Sequence, residues 1–218
     1  MSLNTRLSLV VVAVFVAVVG ALALTSASGR DTPDPVTGAA AEELLVRPDS
    51  HRLTTPPEPK AVFVEFLDFE CESCRAAFPA VEQLRAEYGD SVEFVVRYFP
   101  LPNHRNAENA AVAVEAAAQQ GAFDAMYARM FETQGQWGER RDSQAALFRT
   151  FAEELGLDLS AFDSAVADPA VLERVRRDAA DGTALGVNGT PTFFLDGQQL
   201  QPQSYEDLSE SLAGAVAD

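Results

Sequence analysis

The chain has 218 residues, of which 33 are acidic and 16 basic, and its formal net charge is −17. Lys60 is the single lysine, so arginine carries nearly all of the positive charge. A surface of this sign repels nucleic acids and anionic lipid headgroups. We therefore exclude nucleic acids as partners and expect membrane contact only through an N-terminal helix.

The first element is an apolar run over residues 7–24, broken only by Ser8 and Gly20 and preceded by Arg6. A helix of this length reaches roughly 27 Å, close to the thickness of a bilayer's hydrocarbon core. We predict a signal anchor or a cleaved signal peptide over residues 1–24, and the length of the run favours the anchor. The charge of Arg6 places the rest of the chain on the extracytoplasmic side of the cell membrane, or makes it a secreted protein if the segment is cleaved.

Residues 25–59 are rich in Ser, Thr, Gly and Pro, which is typical of a tether. An edge strand and a turn are expected within residues 43–54. The remaining residues, 60–218, are numerous enough for one domain with its own core.

The folded part begins with a strand, a helix and a second strand. Residues 61–69 form a nearly continuous apolar run that predicts a strand covered on both faces. Apolar residues then recur at helical spacing from Cys74 to Tyr88, and residues 91–99 read as the second strand. This order predicts a βαβ unit with both cysteines at the start of its helix.

A helical block follows, over residues 104–185 approximately, and it separates the first two strands from a final hairpin and helix. The hairpin strands at 192–195 and 198–200 flank Asp196-Gly197, a strong turn signal, and a last helix is predicted over 205–216. The helices of the block are predicted over residues 106–120, 123–134, 143–155, 160–166 and 169–184. The fold class is therefore α/β, with a helical insertion between two halves of a sheet.

Cys71 and Cys74 are the only cysteines of the chain. Their spacing alone leaves open a redox pair, a structural disulfide or half of a metal site. A disulfide that closes so small a loop would stabilise the fold little. A zinc site with His51 and His104 is disfavoured, because one lies near the tether and the other at a predicted helix entry, and no metal is expected.

The position of Cys71 at a helix N-terminus predicts a reactive thiolate, because the helix dipole and free N–H groups stabilise negative charge there. The hydroxyl of Ser73 would lower the Cys71 pKa further, whereas Glu70 and Glu72 would raise it. Together these effects predict a moderate lowering of the Cys71 pKa. Cys74, one turn later, would sit deeper on the same side.

Two motifs resemble those of DsbA-like thiol:disulfide oxidoreductases of the thioredoxin superfamily. The stretch VEFLDFECESC is similar to their active-site strand and turn, and GVNGTPTFFLDG is similar to their cis-proline loop and hairpin. The resemblance covers about residues 60–217. It implies a thioredoxin fold with an inserted helical domain and no cofactor, and the lack of a dimerisation domain leads us to expect a monomer.

The resemblance also implies roles for individual residues. Cys71 would be the nucleophile and Cys74 the resolving thiol. Thr190 and Pro191 would form a cis-peptide loop whose backbone binds an extended substrate. Glu65 would be the buried acid that accepts a proton from Cys74 when that thiol attacks.

The expected function is an extracytoplasmic oxidoreductase that introduces disulfides into unfolded exported proteins and is reoxidised by a quinone-linked membrane enzyme. The dipeptide Glu72-Ser73 departs from the Pro, His or Gly common in relatives, and because this dipeptide tunes the potential, the direction of electron flow stays open. The alternatives are an envelope thiol reductase and a non-catalytic thioredoxin-fold binding domain with a structural disulfide.

Overall fold

The computed structural model describes residues 36–217. The predicted membrane segment, residues 1–24, lies outside the described residues. Within 36–217, none of the helices has the length and apolar character needed to cross a membrane. The helices and strands are α1 (Ala39–Leu45), β1 (His51–Arg52), β2 (Ala61–Leu67), α2 (Glu72–Tyr88), β3 (Val92–Tyr98), α3 (Ala107–Ala118), α4 (Phe123–Trp137), α5 (Ala145–Glu154), α6 (Leu159–Ala167), α7 (Pro169–Ala184), β4 (Thr192–Leu195), β5 (Gln198–Gln199) and α8 (Tyr205–Ala217).

One sheet organises the fold, with strand order β1-β3-β2-β4-β5. Strands β2 and β3 are parallel, as expected for two strands joined by a helix, and the other neighbours pair antiparallel. Helices α3 to α7 are inserted between β3 and β4. The predicted α/β class, with a helical insertion between two halves of a sheet, is confirmed.

The two faces of the sheet carry separate apolar clusters because side chains alternate along each strand. Phe63 and Leu67 of β2 pack with Val81 and Leu84 of α2 on the first face. On the opposite face, Val64 and Phe66 belong to a smaller cluster with Leu45 of α1. Both faces of β2 are thus buried, as its continuous apolar sequence predicts.

Part of the segment predicted as a tether is a helix, α1, packed on the second face. Arg97 of β3 is fully buried and donates to the carbonyl of Leu45 at 2.7 Å. The same guanidinium pairs with Asp178 at 2.9 Å and Asp181 at 2.6 Å, both on α7. A buried charge needs such partners, so the α1 carbonyls become part of the core. The sequence did not predict this helix, because the side chain that binds its carbonyls lies about fifty positions later in the chain.

Two smaller sequence features appear as expected in the fold. The edge strand expected within residues 43–54 is β1, where His51 pairs with Val96. The β4–β5 turn has positive φ at Asp196 (47°) and at Gly197 (82°). Glycine has no Cβ, and the short polar side chain of aspartate can hydrogen-bond locally, so both tolerate positive φ and the Asp-Gly pair marks the hairpin.

Candidate active site

The two cysteines lie at the first turn of α2, which begins at Glu72. Cys71 is the N-cap residue of this helix, and Cys74 lies inside its first turn. The side chains differ in depth: Cys71 is 7% exposed and Cys74 is 0% exposed. Both are free thiols. An incoming substrate sulfur therefore meets Cys71 first.

The environment of Cys71 stabilises its thiolate. The Cys74 thiol hydrogen-bonds the Cys71 sulfur and contributes most to lowering the Cys71 pKa to about 5, against the opposing effect of burial. Thr190 and the backbone N–H groups of Cys74 and Ser73 lower it further. The value falls within the range of about 3.5–7.5 found for activated cysteines. Ser73 thus contributes through its backbone N–H.

Cys74 has the opposite character. Burial raises its pKa well above the ordinary value, and the neighbouring Cys71 and Glu65 add to the effect. Two titratable groups whose environments separate their pKa values can take different roles in one reaction. This arrangement suits Cys71 as nucleophile and leaving group and Cys74 as the thiol that needs a proton acceptor.

Thr190 and Pro191 lie beside Cys71, and the peptide bond between them is cis, as predicted. The Cys71 thiol donates to the Thr190 carbonyl, with a sulfur-to-oxygen distance of 3.3 Å. The Thr190 hydroxyl oxygen is buried without a partner among the described residues. Since a thiolate cannot donate, we assign the stabilising contact from residue 190 to this hydroxyl.

Glu65 lies in the middle of β2 and is 3% exposed. Burial raises its pKa to about 8, and the charges of Glu82 and Cys71 raise it as well. A carboxyl group with this pKa can exchange a proton near neutral pH, as the predicted role in the Cys74 step requires. The structure places Glu65 close enough to Cys74 for its charge to raise the Cys74 pKa.

The turn before Cys71 is held by a buried aspartate that the sequence did not single out. Asp68 accepts from the backbone N–H of Glu70 at 2.7 Å and from that of Leu101 at 2.8 Å. Its carboxylate also contacts Nδ1 of His104 at 2.7 Å. These bonds join the loops that follow β2 and β3, so the position of the active-site turn is coupled to both strands.

The inserted helices hold the same turn from the other side. The Gln134 side chain of α4 donates to the carbonyls of Phe69 at 2.7 Å and Cys71 at 2.8 Å. The buried Glu70 carboxylate accepts from the N–H groups of Asn106 and Glu139. Sequence spacing gave no signal for these long-range contacts.

The two carboxylates next to Cys71 are therefore placed differently. Glu70, expected to act on the Cys71 pKa, is directed into the helical insertion and fixes the turn there. Glu72 lies exposed on the first turn of α2.

A cavity of about 460 Å³ opens next to this site. It lies between the cis-proline loop and the residues that follow β5. Strand β5 is at the edge of the described sheet and pairs there only with β4. Backbone groups and polar side chains line much of it, a composition that can hold an extended peptide. Its lining residues include Ser73, Asn188, Thr190, Thr192, Gln199 and Gln201.

The family of the chain follows from a profile match. The thioredoxin family profile covers residues 56–213, which is most of the chain. The chain belongs to the thioredoxin family. The predicted membership in the thioredoxin superfamily is thereby confirmed.

Curated relatives of this thioredoxin-family protein are longer proteins. The chain is 38% identical over 164 residues to the Na⁺/H⁺ antiporter NhaA of Herminiimonas arsenicoxydans, covering 72% of this chain and 24% of that protein. It is also 38% identical over 174 residues to Na⁺/H⁺ antiporter NhaA 3 of Salinispora tropica, covering 79% and 26%. The chain thus spans about a quarter of the length of these relatives.

Solved structures agree with the DsbA-like arrangement. A thioredoxin-like oxidoreductase from Silicibacter pomeroyi matches with a TM-score of 0.67 and 25% identity, covering 88% of this chain and 99% of that one. Wolbachia pipientis α-DsbA1 matches with a TM-score of 0.70 and 19% identity, covering 82% and 96%. Bacillus subtilis BdbD matches with a TM-score of 0.66 and 18% identity, covering 76% and 92%. The thioredoxin-family chain therefore has the DsbA-like fold, a thioredoxin fold with an inserted helical region.

The two histidines that were disfavoured as zinc ligands, and Trp137, have other contacts in this thioredoxin-family fold. His51 contacts Glu115 at 2.6 Å, and His104 contacts Asp68, so each histidine has a carboxylate partner. Among residues 36–217, no group of three or more His, Cys, Asp or Glu side chains is arranged to hold a metal. Trp137 is fully buried against Phe148, with ring centroids 4.9 Å apart, which is a packing role.

Proposed function

We propose that this protein is an extracytoplasmic thiol:disulfide oxidoreductase that donates a disulfide between Cys71 and Cys74 to unfolded exported proteins. The observation that carries the proposal is the stabilised Cys71 thiolate beside a buried Cys74 thiol. Because only the reduced form contains the thiolate, its stabilisation favours the reduced protein and makes the disulfide a better oxidant.

The size of this effect follows from the Cys71 pKa. At pH 7, a pKa of about 5 stabilises the reduced form by about 3 kcal/mol, since each pH unit above the pKa contributes roughly 1.4 kcal/mol. For a two-electron couple this equals about 60 mV. A thioredoxin-like pair with a pKa near 7 and a potential of about −270 mV is itself half thiolate at pH 7, so the difference is about 50 mV and the expected potential is about −220 mV.

In the proposed reaction, a substrate thiolate attacks the sulfur of Cys71 and breaks the Cys71–Cys74 bond. The electron pair passes to Cys74, which takes a proton from Glu65, and a mixed disulfide remains on Cys71. A second substrate thiolate then attacks the substrate sulfur of that mixed disulfide and releases Cys71 as a stable thiolate. The substrate has gained a disulfide and the protein has been reduced, so a separate oxidant must restore it. We propose a quinone-linked membrane enzyme for that step.

Substrate binding is assigned to the cavity between the cis-proline loop and β5. Sheet-edge and loop backbone groups recognise extended chains with little dependence on side-chain sequence, which suits unfolded substrates. The extracytoplasmic location rests on the apolar run at residues 7–24 and on the occurrence of a similar region within proteins named as antiporters. Ion transport itself is not proposed for this chain.

The test uses the oxidised full chain in detergent and a reduced, unfolded peptide with two cysteines. We expect stoichiometric transfer of the disulfide to the peptide and no transfer by Cys71→Ser or Cys74→Ser, since neither variant can form the disulfide. With the oxidised peptide instead, the Cys71 thiolate of Cys74→Ser should attack the peptide disulfide and accumulate a mixed disulfide that no second thiol resolves. Failure of the wild-type chain to oxidise the peptide would contradict the proposal. Normal turnover by Cys74→Ser would exclude the two-thiol mechanism.

A further inference from the structure

Most arginine side chains of this acidic protein are neutralised by a neighbouring carboxylate. Among residues 36–217, nine arginines form an ion pair with an Asp or Glu side chain. The other four arginines in this range form no such pair, although acidic residues outnumber basic ones by 33 to 16 in the chain. These four exposed residues, here called the arginine patch, are Arg75, Arg105, Arg140 and Arg141.

The arginine patch lies on three segments that meet at the active-site turn, and the first segment is the start of α2. Arg75 directly follows Cys74, and its backbone N–H donates to the carbonyl of Cys71 at 3.1 Å. Its Nη1 atom lies 3.1 Å from the position that a Cβ atom would occupy on Gly135 of α4. The neighbouring Gln134 donates to the same Cys71 carbonyl. The Arg75 guanidinium therefore lies over α4, beside the active-site turn.

The second segment leads into α3 and carries Arg105. The residue before it, His104, contacts the Asp68 carboxylate at 2.7 Å. The residue after it, Asn106, donates its N–H to the Glu70 carboxylate at 2.6 Å. Both carboxylates belong to the active-site turn, so the backbone of this segment is fixed to the turn on either side of the arginine.

The third segment is the loop between α4 and α5, which carries Arg140 and Arg141. The N–H of Glu139 donates to the Glu70 carboxylate at 3.0 Å. The side chain of Asn106 donates to the carbonyl of Arg140, also at 3.0 Å. The loop is thus bonded both to the active-site turn and to the second segment, and its two arginines lie next to the turn.

The guanidinium groups of the patch remain available to a partner. Three exposed carboxylates, those of Glu72, Glu139 and Asp142, lie on the same segments. Within the part of the chain that the structure describes, none of them forms an ion pair with the patch. A free guanidinium presents five N–H donors in a planar arrangement that matches a carboxylate.

The position of the patch relates it to the substrate. The cis-proline loop and its cavity adjoin Cys71 on one side, and the patch adjoins it on the side of the inserted helices. An extended chain advances about 3.3 Å per residue, so a substrate whose cysteine reaches Cys71 brings its neighbouring residues to the patch.

We propose that the arginine patch binds acidic side chains next to the reactive cysteine of the substrate, so that the protein acts preferentially on acidic cysteine-containing segments. The inference rests on the proposed function and names a class of substrate for it. Attraction between the patch and the substrate carboxylates raises the rate of encounter. The rest of the surface repels these carboxylates, because the net charge is −17. The attraction is therefore confined to the site of reaction.

Anionic phospholipid headgroups are the competing partner for four exposed arginines. Two observations favour the peptide. The net charge of −17 repels an anionic membrane surface. A lipid surface seated on the patch would also cover Cys71, which lies beside it.

The experiment measures disulfide transfer from the oxidised full chain in detergent to three reduced two-cysteine peptides. The peptides share one sequence, except that the residues flanking both cysteines are Glu, Gln or Lys, and each rate is corrected for the thiolate fraction of the peptide. At low salt the Glu peptide should react about tenfold faster than the Gln peptide, at the lower end of the range for electrostatic steering, and the Lys peptide should be slowest. At about 0.5 M salt the preference should largely disappear, because the Debye length falls to a few Å.

Two pairs of substitutions separate the patch from the general charge of the protein. Arg140→Gln with Arg141→Gln removes two charges from the patch and should abolish most of the preference for the Glu peptide. Arg149→Gln with Arg176→Gln is the control, because it removes the same charge from exposed, ion-paired arginines on α5 and α7 and should keep the preference. Arg140→Glu with Arg141→Glu should reverse the preference in favour of the Lys peptide.

Equal rates with the three peptides would overturn the inference, and so would a preference that the control loses as fully as the patch variant. Equal peptide rates, with inhibition by anionic phospholipid that only the patch variant escapes, would assign the patch to lipid headgroups instead. If the Arg140 and Arg141 variants fail to fold, Arg75→Gln with Arg105→Gln removes the same charge from the other two segments and should show the same loss. Absence of transfer to all three peptides by the wild-type chain would instead be a failure of the proposed function.

Discussion

The pKa of Cys71 depends first on the thiol of Cys74, and removal of that thiol tests the electrostatics of the site. In Cys74→Ala, the Cys71 thiolate loses a hydrogen bond from a buried donor. Hydrogen bonds to charged groups contribute about 1.5–3 kcal/mol. At roughly 1.4 kcal/mol per pKa unit, the Cys71 pKa should rise from about 5 to about 6–7.

The assay is a titration of the thiolate absorbance near 240 nm in the reduced full chain. At pH 5.5, about three quarters of Cys71 should be thiolate in the wild-type protein and about a quarter or less in Cys74→Ala. Ser73→Ala is the control, because it keeps the backbone N–H through which residue 73 acts. An unchanged midpoint in Cys74→Ala would refute the assignment of Cys74 as the main donor. A wild-type midpoint near 9 would refute the description of the whole site.

Two further predictions concern stability in the reduced state. The folded-state pKa of Glu65 is raised from 4.5 to about 8, so its contribution to stability is complete below pH 4.5 and is lost as the pH rises through 8. The free energy of unfolding of Glu65→Gln, measured with urea relative to that of the wild type, should therefore rise by several kcal/mol, at most about 5, from pH 4 to pH 8.5. If the difference between variant and wild type is the same at both pH values, the raised pKa is contradicted. Gln134→Ala removes two hydrogen bonds to the active-site turn and should lower the free energy of unfolding by about 1–3 kcal/mol. Gln136→Ala, on the exposed side of the same helix, should change it by less than about 0.5 kcal/mol, and equal effects of the two variants would argue against the proposed positioning role.

The sequence predicted the sheet and the cysteine pair because their signals are local. The apolar run at residues 61–69 identifies β2, although the strand ends at Leu67. The next residues leave the strand because the Asp68 side chain accepts from the N–H of Glu70, forming a turn. The Asp-Gly turn and the helical spacing after Cys74 are equally local, and the structure agrees with both.

The contacts that complete the site could not be predicted, because they join residues far apart in the chain. Gln134 and Cys71 are separated by 63 positions, and Asn106 and Glu70 by 36. Residues 39–45 likewise gave no sign of the buried Arg97 that holds α1 against the sheet.

The central claim is that Cys71 and Cys74 form an oxidising pair, and its most direct test is the reduction potential of the full chain. The protein is equilibrated with glutathione buffers, the free thiols are alkylated, and the reduced and oxidised forms are counted by mass. The stabilised Cys71 thiolate predicts a potential of about −220 mV. A value near −270 mV would contradict disulfide donation and indicate a reductase, and resistance to reduction below about −300 mV would indicate a structural disulfide.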